Sequence, residues 1–125
     1  MGKKASIWKR APDPQDYVAA QAYLSLLFDE AATKKLVQHL RRAPTTQREA
    51  KDLLRASGLE LLAKNSSHVA ADLKKIAKRK TLSPVLLVRG DGDKGLPLII
   101  ADGYHRICAS WYWDENSLVS CCIAD

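Results

Sequence analysis

The chain has 125 residues, enough for one domain with a sizeable core and too few for two independent ones. With 46% hydrophobic and 27% charged residues its composition is globular, and no stretch approaches the roughly 18 uninterrupted apolar residues of a membrane span. The net charge of +6 is unevenly spread, because residues 1 to 80 carry 17 of the 20 Lys and Arg but only 8 of the 14 Asp and Glu, leaving the remainder net acidic. Such a basic portion fits a nucleic-acid face and equally a solvated, lysine-rich helix surface. The basic start, Met1-Gly2-Lys3-Lys4-Ala5-Ser6, leads into no apolar run and does not read as a secretory signal. Three cysteines, two of them the adjacent Cys121 and Cys122, do not make a disulfide framework, so a reducing cytoplasm is the expected location.

Residues 1 to 12 show no apolar periodicity and read as a flexible arm with Trp8 as its one anchor. Residues 13 to 58 read as a helical extension. A first helix opens with Asp13 as N-cap and Pro14 in its first turn, with Tyr17, Val18, Leu24, Leu27 and Phe28 as its apolar side. A second starts at Asp29, places Ala32, Leu36, Val37 and Leu40 on one face, and stops by Ala43 because Pro44 follows. For a third, Thr46 and Glu49 fit a capping box, Ala50, Leu53 and Leu54 form the buried stripe, and Gly58 is the left-handed terminator.

Residues 59 to 125 read as an α/β (α+β) core built on a small mixed sheet. Leu59 to Leu62 is expected as a short strand, and Asn65-Ser66-Ser67 caps an amphipathic helix with Val69, Leu73, Ile76 and Ala77 on its apolar face. The opposite face and end of that helix carry Lys74, Lys75, Lys78, Arg79 and Lys80. Pro84 to Val88 and Leu96 to Ala101 are apolar runs of strand length, joined by the turn Asp91-Gly92-Asp93-Lys94-Gly95 into a hairpin. Asp102-Gly103 opens a helix to about Trp113, and Leu118 to Ile123 forms a last strand.

The most informative segment is Ala101-Asp102-Gly103-Tyr104-His105-Arg106, where a buried strand turns at a glycine into a helix. Free N–H groups of a first helical turn, the helix dipole and a neighbouring arginine together favour an anion such as phosphate. Gly103 would allow close backbone approach and Arg106 would supply charge. His105 would act as donor or proton-transfer group, and Tyr104 would lie exposed, where it could cover a base by stacking. Asp102 has two readings, N-cap of the helix, or a functional group that orients His105 or holds a metal next to a nucleotide.

The order amphipathic helix, Leu82-Ser83-Pro84-Val85-Leu86-Leu87-Val88, turn, Ile99-Ile100-Ala101, then Asp102-Gly103-Tyr104-His105-Arg106, helix and final strand resembles the ParB/sulfiredoxin superfamily over about residues 59 to 124. The resemblance implies a compact α/β fold that holds a nucleotide phosphate on Gly103, His105 and Arg106. In sulfiredoxins the residue after this glycine is the catalytic cysteine; Tyr104 stands there, so that activity is not expected. ParB partition proteins carry Gly-Glu-Arg-Arg at the turn, followed by a DNA-reading region that has no counterpart in these 125 residues. The Asp-Gly-x-His-Arg form is more similar to the turn of the free-serine kinases, although their catalytic glutamate has no evident match.

The leading expectation is therefore binding of a nucleotide of ATP or CTP type, or another phosphorylated small molecule, at Asp102 to Arg106. Mg²⁺ would neutralise the phosphates, and any turnover would be phosphotransfer or nucleotide hydrolysis with Asp102 and His105 as catalytic groups. A second expectation is a DNA- or RNA-binding or nuclease-like module that uses Lys74, Lys75, Lys78 and Arg79. A third is a protein-interaction module with a vestigial site. A homodimer is compatible with each, and no membrane partner is expected. No metal site is expected from His105, Cys108, Cys121 and Cys122, since neighbouring strand residues point to opposite faces. Trp111, Tyr112 and Trp113 read as core and rim packing.

Overall fold

The computed structural model describes residues 7 to 125, so the basic start at residues 1 to 6 lies outside the described residues. Two helices come first, α1 (Pro14–Leu24) and α2 (Glu30–Arg42). Asp13 is the N-cap of α1, and the Asp16 carboxylate accepts the Asp13 N–H at 2.9 Å. Asp29 caps α2 by accepting from the Ala32 N–H at 2.8 Å. Leu27 and Phe28 fall in the turn between them, beyond the end of the first helix.

Thr46–Glu49, expected as the capped start of a helix, is instead strand β1. It pairs antiparallel with β4 (Leu118–Ala124), Thr46 opposite Cys121 and Glu49 opposite Leu118. The reason is tertiary: β1 satisfies backbone groups along that edge of β4, a demand that outweighs the local capping signal. Helix α3 (Ala50–Ser57) follows at once and needs no capping box. Its Ala50 and Lys51 N–H groups donate to the carbonyls of Ser117 and Glu115, each at 3.0 Å. Gly58 ends it in the left-handed conformation at φ 68°.

Leu59 to Leu62 is not a strand. The carbonyls of Glu60 and Leu62 serve instead as acceptors for the hydroxyls of Tyr104 and Tyr112. Helix α4 (Ser67–Ala77) leads to β2 (Val85–Val88), a single 3₁₀ turn at Gly92–Lys94, β3 (Ile99–Asp102), α5 (Tyr104–Trp113) and β4. Strand β3 starts three residues later than expected. Leu96 closes the connecting loop by exchanging backbone hydrogen bonds with Asp91, and Pro97 has no N–H for the ladder.

The sheet order is β1-β4-β2-β3, with β2 and β4 parallel and the outer pairs antiparallel. Alternation along the two central strands sorts the core into two clusters. Val85, Leu87, Val119 and Cys121 pack with Leu53, Leu54, Val69, Ile76 and Ile107 on one side. Leu86, Val88, Cys122 and Ala124 pack with Ala20, Leu24, Val37 and Leu40 on the other. The molecule is thus a mixed α+β fold in which α1 and α2 cover one face of the sheet and α3, α4 and α5 the other. Covering on both faces is why Val85 to Val88 reads as a continuous apolar run.

The arm is held where it is described. Lys9 N–H donates to the Leu82 carbonyl at 2.8 Å and Leu82 N–H to the Ile7 carbonyl at 2.9 Å, so Ile7 to Lys9 lies beside Leu82, with Trp8 packed on the first cluster. The Thr45 hydroxyl adds a bond to the Arg10 carbonyl at 2.9 Å. No helix among the described residues is long and apolar enough to cross a membrane.

Candidate functional site

At the end of β3 the chain passes through Gly103, at φ 106°, into α5. This glycine is required by packing. A Cβ there would run into Val85 Cγ1, stand 2.7 Å from Val85 Cβ and 2.9 Å from an Arg106 nitrogen, so the close approach is to β2. Asp102 is not the N-cap. It lies in β3 opposite Leu86, and α5 starts without any side-chain cap. The first α5 amide to find a helical acceptor is Ile107, bonded to the Gly103 carbonyl at 3.0 Å; those of Tyr104, His105 and Arg106 have none within the helix.

Arg106 turns inward. Its Nη2 donates to Asp102 Oδ2 at 2.6 Å, and its Nη1 donates to the Ser83 carbonyl at 2.7 Å and to the Ser83 hydroxyl. Asp16 of α1 approaches Nη1 to 3.7 Å. With its side chain only 12% exposed, Arg106 ties α1, the segment before β2 and β3 together. These bonds to protein oxygens give Arg106 a structural role beside the phosphate grip expected of it. Burial pushes the Asp102 carboxyl from 3.8 up to about 6; Arg106 works against that shift and the Asp16 carboxylate adds to it. Two carboxylates share one guanidinium, which leaves the triad with a surplus negative charge when both are ionised.

His105 is exposed, and its ring lies 4.7 Å from that of His68 on α4. Its pKa is lowered, by burial first and then by His68, with Asp72 acting the other way. The neutral imidazole is thereby favoured, the form that can accept a proton. Asp72, one turn along α4 from His68, has its pKa raised by burial, opposed chiefly by Lys75 at 4.0 Å. Tyr104 is not an exposed stacking ring. It packs against the first core cluster and its hydroxyl donates to the Glu60 carbonyl.

These groups border a polar cleft of about 280 Å³. The structure brings Asp102, Gly103, His105 and Arg106 to it, and adds His68, Asp72 and Lys75 from α4, Ser83, Asp13 and Asp16 from the start of α1, and Lys9 from the arm; Tyr104 is not in its wall. The added residues lie far from the turn in the sequence. Only the four-residue spacing of His68 and Asp72, which puts both on one helix face, hinted at them. Lys74, on α4 with Lys75, and Lys78, the C-cap of that helix, are exposed but do not line the cleft, and Arg79 follows at φ 60°. Cys108, Cys121 and Cys122 are buried free thiols, with Cys121 and Cys122 in opposite core clusters. Among the described residues no group of three His, Cys, Asp or Glu side chains is placed to hold a metal ion. Comparison of the chain with protein-family models, with curated proteins and with solved structures finds no match.

Proposed function

We propose that this cleft binds the phosphate end of a small phosphorylated ligand, a nucleotide being the leading candidate. The observation that carries the reading is the uncapped start of α5 beside a polar cleft that also holds Lys9, Lys75, His68 and His105. Free amides at a helix start and flanking cations are the elements of a phosphate site. The volume of about 280 Å³ falls below the roughly 300 to 1,000 Å³ of pockets that enclose a drug-sized molecule, so a phosphate and sugar would be held and a base left outside. His105, kept neutral, is the group suited to take a proton from an attacking hydroxyl or water. Mg²⁺ characteristically uses one or two protein carboxylates together with ligand phosphates, and Asp72 and Asp13 are the carboxylates that would serve it outside the Arg106 triad.

The test is a thermal-shift panel of the four ribonucleoside triphosphates and inorganic phosphate, with and without Mg²⁺, on wild type, Lys75→Ala and His105→Ala. A ligand at 100 times its Kd stabilises by about 2.7 kcal/mol. We expect one nucleotide to shift the wild type and Lys75→Ala to lose most of that shift; phosphate release that disappears in His105→Ala would add turnover. No shift with any of them refutes the reading. The exposed Lys74, Lys75 and Lys78 favour, as a second reading, contact with a nucleic-acid backbone. That reading requires binding to DNA or RNA that weakens steeply with salt.

A further inference from the structure

A second cavity, which shares no residue with the polar cleft, lies at the other end of α1, about 16 Å away along an eleven-residue helix. It measures about 610 Å³, and its wall is almost wholly apolar, drawn from Phe28, Leu36, Val88, Leu98 and Ile99 with Tyr23 at the helix end. Four of the large apolar side chains that the fold leaves exposed, Tyr23, Leu27, Leu59 and Leu96, are 43 to 56% exposed and all border it. Exposed apolar groups gathered around one hollow mark a site of contact, since scattered ones would be unremarkable.

The charges at the cavity's edge select the ligand. Its charged lining residues are Arg89 and Asp125, joined by a bond from Arg89 Nε to Asp125 Oδ1 at 2.6 Å. Both side chains are well exposed, 57% and 76%, so the pair is weak and an incoming carboxylate can take the place of Asp125. A smaller hollow of about 290 Å³ adjoins the cavity across Phe28, Leu36 and Asp125, and it adds Lys35 and His39. Across both linings the basic side chains are Arg89 and Lys35 and the acidic side chain is Asp125. The apolar chamber thus has a cation in its own lining and a second in the hollow that adjoins it.

We infer that this cavity binds a free monocarboxylic acid with an extended apolar body, such as a medium-chain alkanoate, its tail among Phe28, Leu36 and Ile99 and its head on Arg89. The volume suits a small molecule: it lies within the range of ligand pockets and is bounded by α1, α2, β3 and the loops around Leu59 and Leu96, so a tail is enclosed on several sides. The head is a single carboxylate because one guanidinium lines the cavity and already bonds a carboxylate, that of Asp125, through Nε. The inference is independent of the phosphate site, since the two cavities have no residue in common.

The test is calorimetric titration of the full chain with hexanoate, octanoate, decanoate and dodecanoate below their micelle concentrations, and with 1-decanol. The proteins are wild type, Arg89→Gln and Leu27→Asp, each checked for native circular dichroism; both substituted positions are exposed. The expected result is one site per chain, affinity rising about threefold to fourfold per added methylene. Arg89→Gln should weaken decanoate about tenfold while leaving 1-decanol unchanged, and Leu27→Asp should abolish both. The inference is overturned by the absence of saturable binding up to dodecanoate, or by binding indifferent to Leu27→Asp. It is overturned equally by uptake only from acid-containing vesicles, or by concentration-dependent self-association that Leu27→Asp removes while no carboxylate binds.

Discussion

Replacing Arg106 by Ala should test whether this arginine is a fastener or a ligand-binding group. The substitution removes the bond to Asp102 at 2.6 Å, the two bonds to Ser83, and the charge facing Asp16. It leaves two carboxylates, 12% and 20% exposed, without a counter-charge. Breaking a fully buried ion pair from one side costs about 3 to 5 kcal/mol, and the residual solvent contact here lowers the figure to about 2 to 4 kcal/mol. Against a total stability on the order of 5 to 15 kcal/mol this is a large share. With a urea m-value of about 1.5 kcal/mol/M the unfolding midpoint at pH 7 should fall by about 1.3 to 2.7 M. The cost arises from orphaned charge, so adding Asp102→Asn to Arg106→Ala should recover about 1 kcal/mol, and the deficit should shrink as pH falls and Asp102 takes up its proton. If Arg106→Ala unfolds within about 0.5 kcal/mol of wild type, the fastener account is wrong and the guanidinium is free for a ligand.

Two further outcomes follow from the same turn. Gly103→Ala should lower stability by about 3 kcal/mol, because both the positive φ and the contact with Val85 oppose a Cβ. Gly58→Ala, at φ 68° with nothing within 4 Å of the new atom, should cost only about 1 kcal/mol; equal losses in calorimetric melting would contradict the packing argument. The Asp102 carboxyl, raised to about 6 in the fold from an ordinary value near 3.8, holds its proton in the folded state where the unfolded chain has lost it. Its contribution is therefore complete below about pH 4 and is lost as pH rises through about 6. Urea unfolding at pH 4.5 and 7 should show wild type losing stability relative to Asp102→Asn as pH rises, and the opposite trend would refute the assignment.

What could be read locally was read correctly where the cause is local. Asp13 begins α1 through bonds between its backbone and Asp16 three residues on, Asp29 begins α2 with its own side chain, and Gly58 ends α3 through its backbone freedom. Val85 to Val88 is a strand buried on both faces, and Leu118 to Ala124 follows as its parallel partner. The failures share a different cause. Thr46-Gln47-Arg48-Glu49 has no apolar alternation, and it is a strand only because β4 presents an edge more than 60 residues away in sequence. Leu59 to Leu62 has the composition of a strand, yet two of its carbonyls are taken by tyrosines of α5. Asp102 looks like a cap, but the guanidinium four residues on competes for it and wins because a charged, part-buried bond outweighs a neutral amide contact. Asp16 gave no signal of a site, because its partner lies 90 residues further on.

The division of charge between the two parts of the sequence is therefore not a division of labour. Helix α1 delivers Asp16 to the Arg106 triad at one end and forms part of the apolar cavity wall through Tyr23 at the other. The arm supplies Lys9 and the N-cap of α1 supplies Asp13 to the cleft, and β1 is an edge of the sheet on which α5 rests. Residues 13 to 58 are thus no appendage on a self-sufficient remainder. Without them Asp102 and Arg106 would face solvent on the α1 side, β4 would lose its antiparallel neighbour, and both cavities would lose part of their walls. The basic residues that bear on the candidate phosphate site are two lysines from this larger basic portion, Lys9 and Lys75, brought to a helix start that belongs to the acidic one. The proposed phosphate site rests on this convergence, in which Lys9 and Lys75 stand beside Asp13 and Asp72, rather than on the total of +6.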